Sequence, residues 1–345
     1  MLNLILNVLL FLNIIISSDL MIPEKTLSFL KKQKYGIAGN HSLVKICQYT
    51  KDSLTKDSWC YKNKFYGIMS HQCLQATTVP YCFNRCLFCW RAQAEEGSDL
   101  NEIKIENWDE PDKIIDEMIK AQRFLLAGIG GHYNVNKKLW KEAQNPRHVA
   151  LSLIGEPIAY PKLLELLQAF KKRKMSTFLV TAGSVPGAIE NMLMHKVFPT
   201  QLYLSMGAYD KESFEKIMRP TTPNGWERYV KSLELLNEAG KYTRTVIRMT
   251  LIKGLSLKNS EQYAKLIKMA MPHYVEVKSY MAVGFSRKRI GLPGMPLQDE
   301  IREFAEKLAK ETGYIYTDEH LPSRIVLLSR DEKAKNERII DFEKI

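Results

Sequence analysis

The sequence predicts an α/β protein centred on an open, partial (β/α)6 barrel. An amino-terminal extension carrying cysteines precedes the barrel, and a small carboxy-terminal α/β extension follows it. Three observations lead to this reading. Short apolar runs rich in β-branched residues alternate with longer segments of helical spacing, the pattern of buried parallel strands joined by helices. Six such runs occur, short of the eight that close a full barrel. All six cysteines of the 345-residue chain fall between Cys47 and Cys89, and the last three sit in a loop that begins where the first run ends.

Residues 76–81 read as the first strand and lead into that loop. Residues 111–123 have helical spacing behind Pro111. Residues 148–154 form a largely apolar run that ends in Gly155-Glu156-Pro157, and a helix over 162–171 follows. The next strand, 176–181, stops before Gly183. A helix over 186–194, a strand over 201–205 and a helix over 226–239 come next. Strand 245–251, helix 260–271 and strand 274–280 complete six units. No repeat or low-complexity tract interrupts them. The expected domains are an apolar leader (1–20), the cysteine-bearing extension (21–75), the barrel (76–285) and the carboxy-terminal extension (286–345). In open sheets and barrels of this kind, chemistry collects at the carboxyl ends of the strands. The cysteine loop and Gly155-Glu156-Pro157 both start at such ends.

A hydrophobic content of 45% supports a large core, and the formal net charge is +12. That excess points to an anionic macromolecular partner, nucleic acid first among the candidates. Basic runs occur at Lys31-Lys32-Gln33-Lys34, Lys171-Lys172-Arg173-Lys174 and Arg287-Lys288-Arg289; each by itself is an ordinary solvated face. Residues 2–18 are nearly all apolar but contain Asn3, Asn7 and Asn13. No Lys or Arg precedes Lys25, so the charged region of a signal peptide is missing. The stretch is also shorter than the ~20 residues of a usual membrane span. The preferred reading is an over-long start, with translation beginning at Met21. A membrane anchor and a packed helix are the alternatives.

Cys82, Cys86 and Cys89 have the spacing C-x3-C-x2-C. An iron–sulfur cube normally takes four cysteines, so three leave one iron without a protein ligand. A zinc site with a distant fourth ligand is the alternative. Cys47, Cys60 and Cys73 are each separated by twelve residues. A disulfide framework does not suit a long chain with no cysteine in its main core. Two sets of three soft ligands read as two metal sites, with one zinc site plus inert thiols as the alternative.

The cysteine loop, with Phe88 just before its last Cys, resembles the radical S-adenosylmethionine (SAM) signature. That resemblance implies a radical-SAM barrel whose open iron is chelated by the amino and carboxylate groups of SAM. It also implies that Gly155-Glu156 contacts the SAM ammonium. Glycine permits close backbone approach, and a carboxylate accepts charge-assisted hydrogen bonds; an ordinary turn is the alternative. Ser152, Thr181, Ser205 and Arg248 lie on or at strand ends, where they touch SAM or serve packing and caps.

The resemblance narrows further. The Cys47-x12-Cys60-x12-Cys73 layout ahead of the loop is similar to that of the radical-SAM enzymes of wybutosine synthesis, the 4-demethylwyosine synthases. So are Cys60-Tyr61-Lys62, Phe65-Tyr66-Gly67, the run from Leu151 to Pro157, Val275-Glu276-Val277-Lys278-Ser279-Tyr280 and Gly284-Phe285-Ser286-Arg287. Together they span roughly residues 22–330. Eukaryotic members carry an additional flavodoxin-like domain, and this chain resembles the shorter archaeal form. The resemblance implies a condensation of N1-methylguanosine, beside the anticodon of phenylalanine tRNA, with pyruvate to form 4-demethylwyosine. It implies two [4Fe-4S] clusters, one on Cys82, Cys86 and Cys89 and one on Cys47, Cys60 and Cys73. It also makes Lys62, otherwise one amine among many, the candidate for a Schiff base with pyruvate.

The expected partners are tRNA, through Arg287, Lys288 and Arg289, and an external electron donor of ferredoxin or flavodoxin type. A cytoplasmic monomer without membrane attachment is expected, because open-iron clusters need a reducing compartment. A zinc-stabilised RNA-binding protein and a radical-SAM enzyme acting on a small metabolite or peptide are the competing readings.

Overall fold

The computed structural model describes residues 22–345 apart from Ser98. The apolar leader therefore lies outside the described residues. No described helix is long and apolar enough to cross a membrane.

Ten strands make one open sheet. They are β1 (Gly36–Ala38), β2 (Ser42–Val44), β3 (Cys73–Thr77), β4 (His148–Leu151), β5 (Ser176–Thr181), β6 (Gln201–Met206), β7 (Arg244–Met249), β8 (Tyr274–Lys278), β9 (Ile315–His320) and β10 (Ile325–Ser329). Their order is β1-β2-β3-β4-β5-β6-β7-β8-β10-β9. The run from β3 to β8 is parallel throughout. These are the six barrel strands that the sequence predicts. An antiparallel hairpin extends each edge: β1 and β2 beside β3, β10 and β9 beside β8.

The helices are α1 (Glu24–Lys32), α2 (Gln48–Thr55), α3 (Tyr61–Tyr66), α4 (Pro111–Gly130), α5 (Lys137–Ala143), α6 (Leu163–Lys172), α7 (Pro186–His195), α8 (Lys211–Ile217), α9 (Gly225–Ala239), α10 (Ser260–Ala270), α11 (Ser286–Arg289), α12 (Gln298–Thr312) and α13 (Glu332–Asn336). Local chemistry explains several starts. Pro111 and Pro186 occupy first-turn positions, where a missing N–H is harmless. Asp210 caps α8 by accepting from the Ser213 amide at 2.8 Å.

Several strand limits move relative to expectation. The first strand begins at Cys73, inside the stretch assigned to the extension, and ends at Thr77 instead of 81. Pro80 has no N–H to give a ladder, and the Thr77 hydroxyl turns back to donate to the Val79 carbonyl. The fourth strand ends at Leu151 because the Ser152 amide bends to the Ala76 carbonyl, at 3.1 Å. The run over 111–123 extends to Gly130 in α4.

Alternation along the strands sorts side chains onto two faces. Leu179, Leu202, Leu204, Met206, Ile247, Met249, Val275, Val277, Val326 and Leu328 join the core that contains the covering helices. Their neighbours Phe178, Tyr203, Val246, Tyr274, Ile325 and Leu327 face the concave side and pack on Tyr61, Phe65 and Tyr66 of α3. The extension thus inserts into the barrel.

Candidate active site

The cysteine loop hangs from the carboxyl end of β3. Its path is held by backbone bonds from Arg85 to Arg219 and from Leu87 to Ile217, both 2.9 Å. The Cys82 amide donates to Asn101 Oδ1 at 2.9 Å. Buried Arg91 donates to the Asn84 carbonyl (3.1 Å) and to Asn101 Oδ1 (3.3 Å), and it hydrogen-bonds the Cys89 thiol. Burial, then the neighbouring Glu156 carboxylate, pushes the Cys82 thiol up to about 12. Burial and then Cys82 and Cys89 raise Cys86. The three thiols therefore feel one another's charge in a buried setting, and a soft metal centre would displace their protons.

Gly155 and Glu156 sit against the start of this loop. Gly155 has φ +73°, and a Cβ there would overlap the Val79 carbonyl oxygen and come within 2.7 Å of the Pro80 backbone. The Glu156 amide donates to the Tyr81 carbonyl at 2.8 Å. Its fully buried carboxylate accepts from the Ala182 amide at 3.0 Å and hydrogen-bonds Thr181. Its other oxygen, Oε1, is buried with no partner among the described residues. Burial lifts this acid to about 7. A buried carboxylate with a vacant acceptor beside the cysteine loop fits a cationic ligand such as the SAM ammonium. Three free thiols beside it fit a cube with one open iron.

The second set is also brought together. Cys47 precedes α2, Cys60 precedes α3 and Cys73 opens β3. The Cys47 sulfur accepts from the Tyr49 and Thr50 amides, and the Cys60 sulfur from the Lys62 amide at 3.5 Å. Burial raises Cys60 and Cys73 to about 12, and each feels the charge of Cys47. Among the described residues, no three His, Cys, Asp or Glu side chains converge as the ligands of a single ion do. Cys73 is the first residue of β3 and Cys82 lies beyond its other end; the five residues of the strand rise about 13 Å.

Next to the second set lies a cluster of buried charged and aromatic side chains, the chamber. Lys62, 8% exposed, extends from α3 onto the rings of Tyr203 (5.0 Å) and Phe178 (5.3 Å). Burial and then Arg248 lower its pKa, while Glu276, Cys73 and Cys60 oppose that shift. Register places Ser205, Arg248 and Glu276 side by side across β6, β7 and β8. Glu276 is fully buried and accepts from Arg248 Nε (2.8 Å), Tyr66 (2.9 Å) and Tyr61 (3.3 Å). Lys278 donates to the Ser323 carbonyl at 2.8 Å, and burial lowers it to about 8.

Two sequence assignments change. Arg289 is not a free cation for tRNA. It donates to the carbonyls of Leu87 (3.1 Å), Cys89 and Arg91 (3.3 Å) and pairs with Glu96 at 2.6 Å. All its donors face the cysteine loop, while Arg287 and Lys288 stay exposed. Arg248 is bonded to Glu276, and the groups acting most on its charge are Tyr61, Glu276 and Tyr203. It stands in register between Ser205 and Glu276. Thr181 hydrogen-bonds Glu156; Ser152 and Ser205 are half-buried, and Ser205 pairs in register with Arg248. Sequence reasoning missed Glu276 and Lys278 as site residues. Their signal was two charged residues two apart in an otherwise apolar strand, which puts both on one face. Arg91, two residues beyond Cys89, had no comparable signal.

A cysteine loop at the carboxyl end of the first parallel strand of an open six-unit sheet defines a radical-SAM protein. The Radical SAM superfamily pattern matches residues 77–267, and the pattern described as wyosine base formation matches 269–330. The chain is 47% identical over 313 residues to the SAM-dependent tRNA 4-demethylwyosine synthase of Pyrococcus abyssi, covering 90% of each protein. It is 38% identical to that of Methanocaldococcus jannaschii, covering 92% of this chain and 100% of that one. A solved structure of TYW1 with a lysine–pyruvate adduct bound superposes with a TM-score of 0.80 at 35% identity, covering 93% of this chain and 99% of that one. This chain belongs to the tRNA 4-demethylwyosine synthase family.

Gly155→Ala forces an L side chain into left-handed backbone against Val79, a conformational cost of about 1–3 kcal/mol before the overlap is relieved. The variant should melt below the parent and bind SAM more weakly in equilibrium dialysis. Unchanged melting and affinity would contradict this placement of Gly155.

Proposed function

We propose that this protein condenses N1-methylguanosine, beside the anticodon of phenylalanine tRNA, with pyruvate to form 4-demethylwyosine. The observation that carries the reading is Lys62: a buried amine beside the Cys47, Cys60 and Cys73 triad, with its backbone amide on Cys60 itself. Cys82, Cys86 and Cys89 would hold one [4Fe-4S] cluster, and Cys47, Cys60 and Cys73 a second. With SAM bound, the first site supplies the one-electron chemistry that removes a hydrogen atom from the N-methyl group. Gly155 and Glu156 seat SAM beside it. Lys62 attacks the pyruvate ketone, a C–N bond forms, water leaves, and an imine holds the two-carbon donor in place. Tyr203 and Phe178 wall that position, so the donor and the methyl carbon meet in a confined volume, a positioning task.

The relatives' names support tRNA as substrate, and the +12 charge supports it independently. Arg287 and Lys288, exposed on α11 where it abuts the cysteine loop, are suited to phosphate contacts. The reducing cytoplasm and an external donor of ferredoxin or flavodoxin type would keep the clusters supplied with electrons.

Three measurements test the reading. Anaerobically reconstituted parent protein should carry about eight irons, and changing either cysteine triad to Ala should leave about four. A triad variant with full iron content would sink the two-cluster assignment. Borohydride with pyruvate should add a reduced pyruvate to Lys62, seen by peptide mass, and Lys62→Ala should lose both adduct and tricyclic product while keeping its iron. Product formed at the parent rate would eliminate the Schiff base. Arg287→Glu with Lys288→Glu should weaken tRNA binding and flatten its salt dependence without lowering iron content, whereas Arg289→Gln should lower iron content by loosening the loop. Equal effects from both changes would contradict the division of labour within α11.

A further inference from the structure

The chamber holds an unbalanced set of charges. Lys62, Arg248 and Lys278 meet there, and Glu276 is the carboxylate that faces them. Glu276 is already shared among Arg248 Nε, Tyr61 and Tyr66. Arg248 Nη2 is left buried, with no hydrogen-bond partner among the described residues. Such a donor is costly to leave unmet, and a guanidinium N–H makes a charge-assisted hydrogen bond to a carboxylate. Its position relative to Lys62 is narrow. Both cations lie over the Tyr203 ring, Arg248 at 4.7 Å and Lys62 at 5.0 Å from its centre. A ligand that satisfies both must carry an anion next to an electrophilic carbon. A 2-oxo acid has that arrangement, with its carboxylate one bond from its ketone. The aromatic walls of Tyr61, Phe178 and Tyr203 favour a small substituent on the far side of the ketone.

We propose that Arg248 is the carboxylate anchor that selects small 2-oxo acids, holding the carboxylate through Nη2 while Lys62 engages the ketone. This deepens the Schiff-base reading and rests on it. Glu276 acts as a positioning residue: it holds Nε and leaves Nη2 as the unpartnered buried donor.

The test uses reconstituted holoenzyme and borohydride trapping at Lys62, read by mass as a function of ketone concentration. In the parent, pyruvate should half-saturate at a concentration at least tenfold below hydroxyacetone, a ketone of similar size without the carboxylate. Equal half-saturation in the parent overturns the proposal without any variant. Arg248→Lys and Arg248→Gln should raise half-saturation by pyruvate at least tenfold, leave that by hydroxyacetone nearly unchanged, and reach the same final adduct. Arg248→Lys retains a cation for Glu276, so it covers the case in which Arg248→Gln does not fold. Pyruvate half-saturation unchanged in Arg248→Lys, or a loss confined to SAM affinity, overturns the assignment. Absence of any adduct in the parent removes the Schiff base itself, a different failure from loss of pyruvate preference.

Discussion

Glu276 is fully enclosed, yet it is the point where two distant parts of the chain are joined. Its oxygens accept from Tyr61 and Tyr66 on α3 and from Arg248 on β7. Helix α3 begins at Cys60 and carries Lys62, so this carboxylate sets where the second thiol triad and the amine stand relative to the barrel. A buried carboxylate survives only if its lone pairs are met. Removing one partner of such a pair typically costs about 3–5 kcal/mol, which explains why a tyrosine pair and an arginine are spent on a single acid. The helix that fills the concave side is thereby locked in one register, and the chamber has one shape.

The cysteine loop depends on a different device. It contains little regular structure, so its shape comes from groups that bond its carbonyls. Arg91 fills it from beneath, Gln93 donates to the Cys86 carbonyl at 3.0 Å, and Arg289 crosses from α11 to three further carbonyls. Gly284, at φ +56°, lets the backbone before α11 press on Trp90, whose carbonyl accepts from the Phe285 amide at 3.0 Å. Two arginines that look like surface cations in the sequence are thus loop scaffolding. The positive charge left for a polyanion is smaller and lies elsewhere on the same short helix.

One strand links the two triads, with Cys73 at its start and Cys82 beyond its end. β3 is stiff and buried in the parallel sheet, paired with β4 on one side and β2 on the other. It holds the two sulfur sets apart as a spacer.

The amino-acid sequence by itself determined what is local. Cysteine spacing, the six alternating runs, the Gly155-Glu156 turn and the closeness of Lys62 to Cys60 are all carried by residues near one another in the chain. Strand and helix periods record which faces are apolar, so the parallel six-unit core was legible. Only the tertiary structure decided the rest. The first strand stops at Thr77 because a hydroxyl and a proline redirect it, and its early start takes Cys73 into the sheet. Arg289 serves the loop because residues two hundred positions earlier offer it carbonyls. Arg248, Glu276 and Lys62 form one chamber because parallel register aligns β7 with β8 and α3 inserts beneath them. Burial and charge balance depend on such distant encounters, and neither period nor spacing along the chain encodes which of many lysines and arginines will be enclosed.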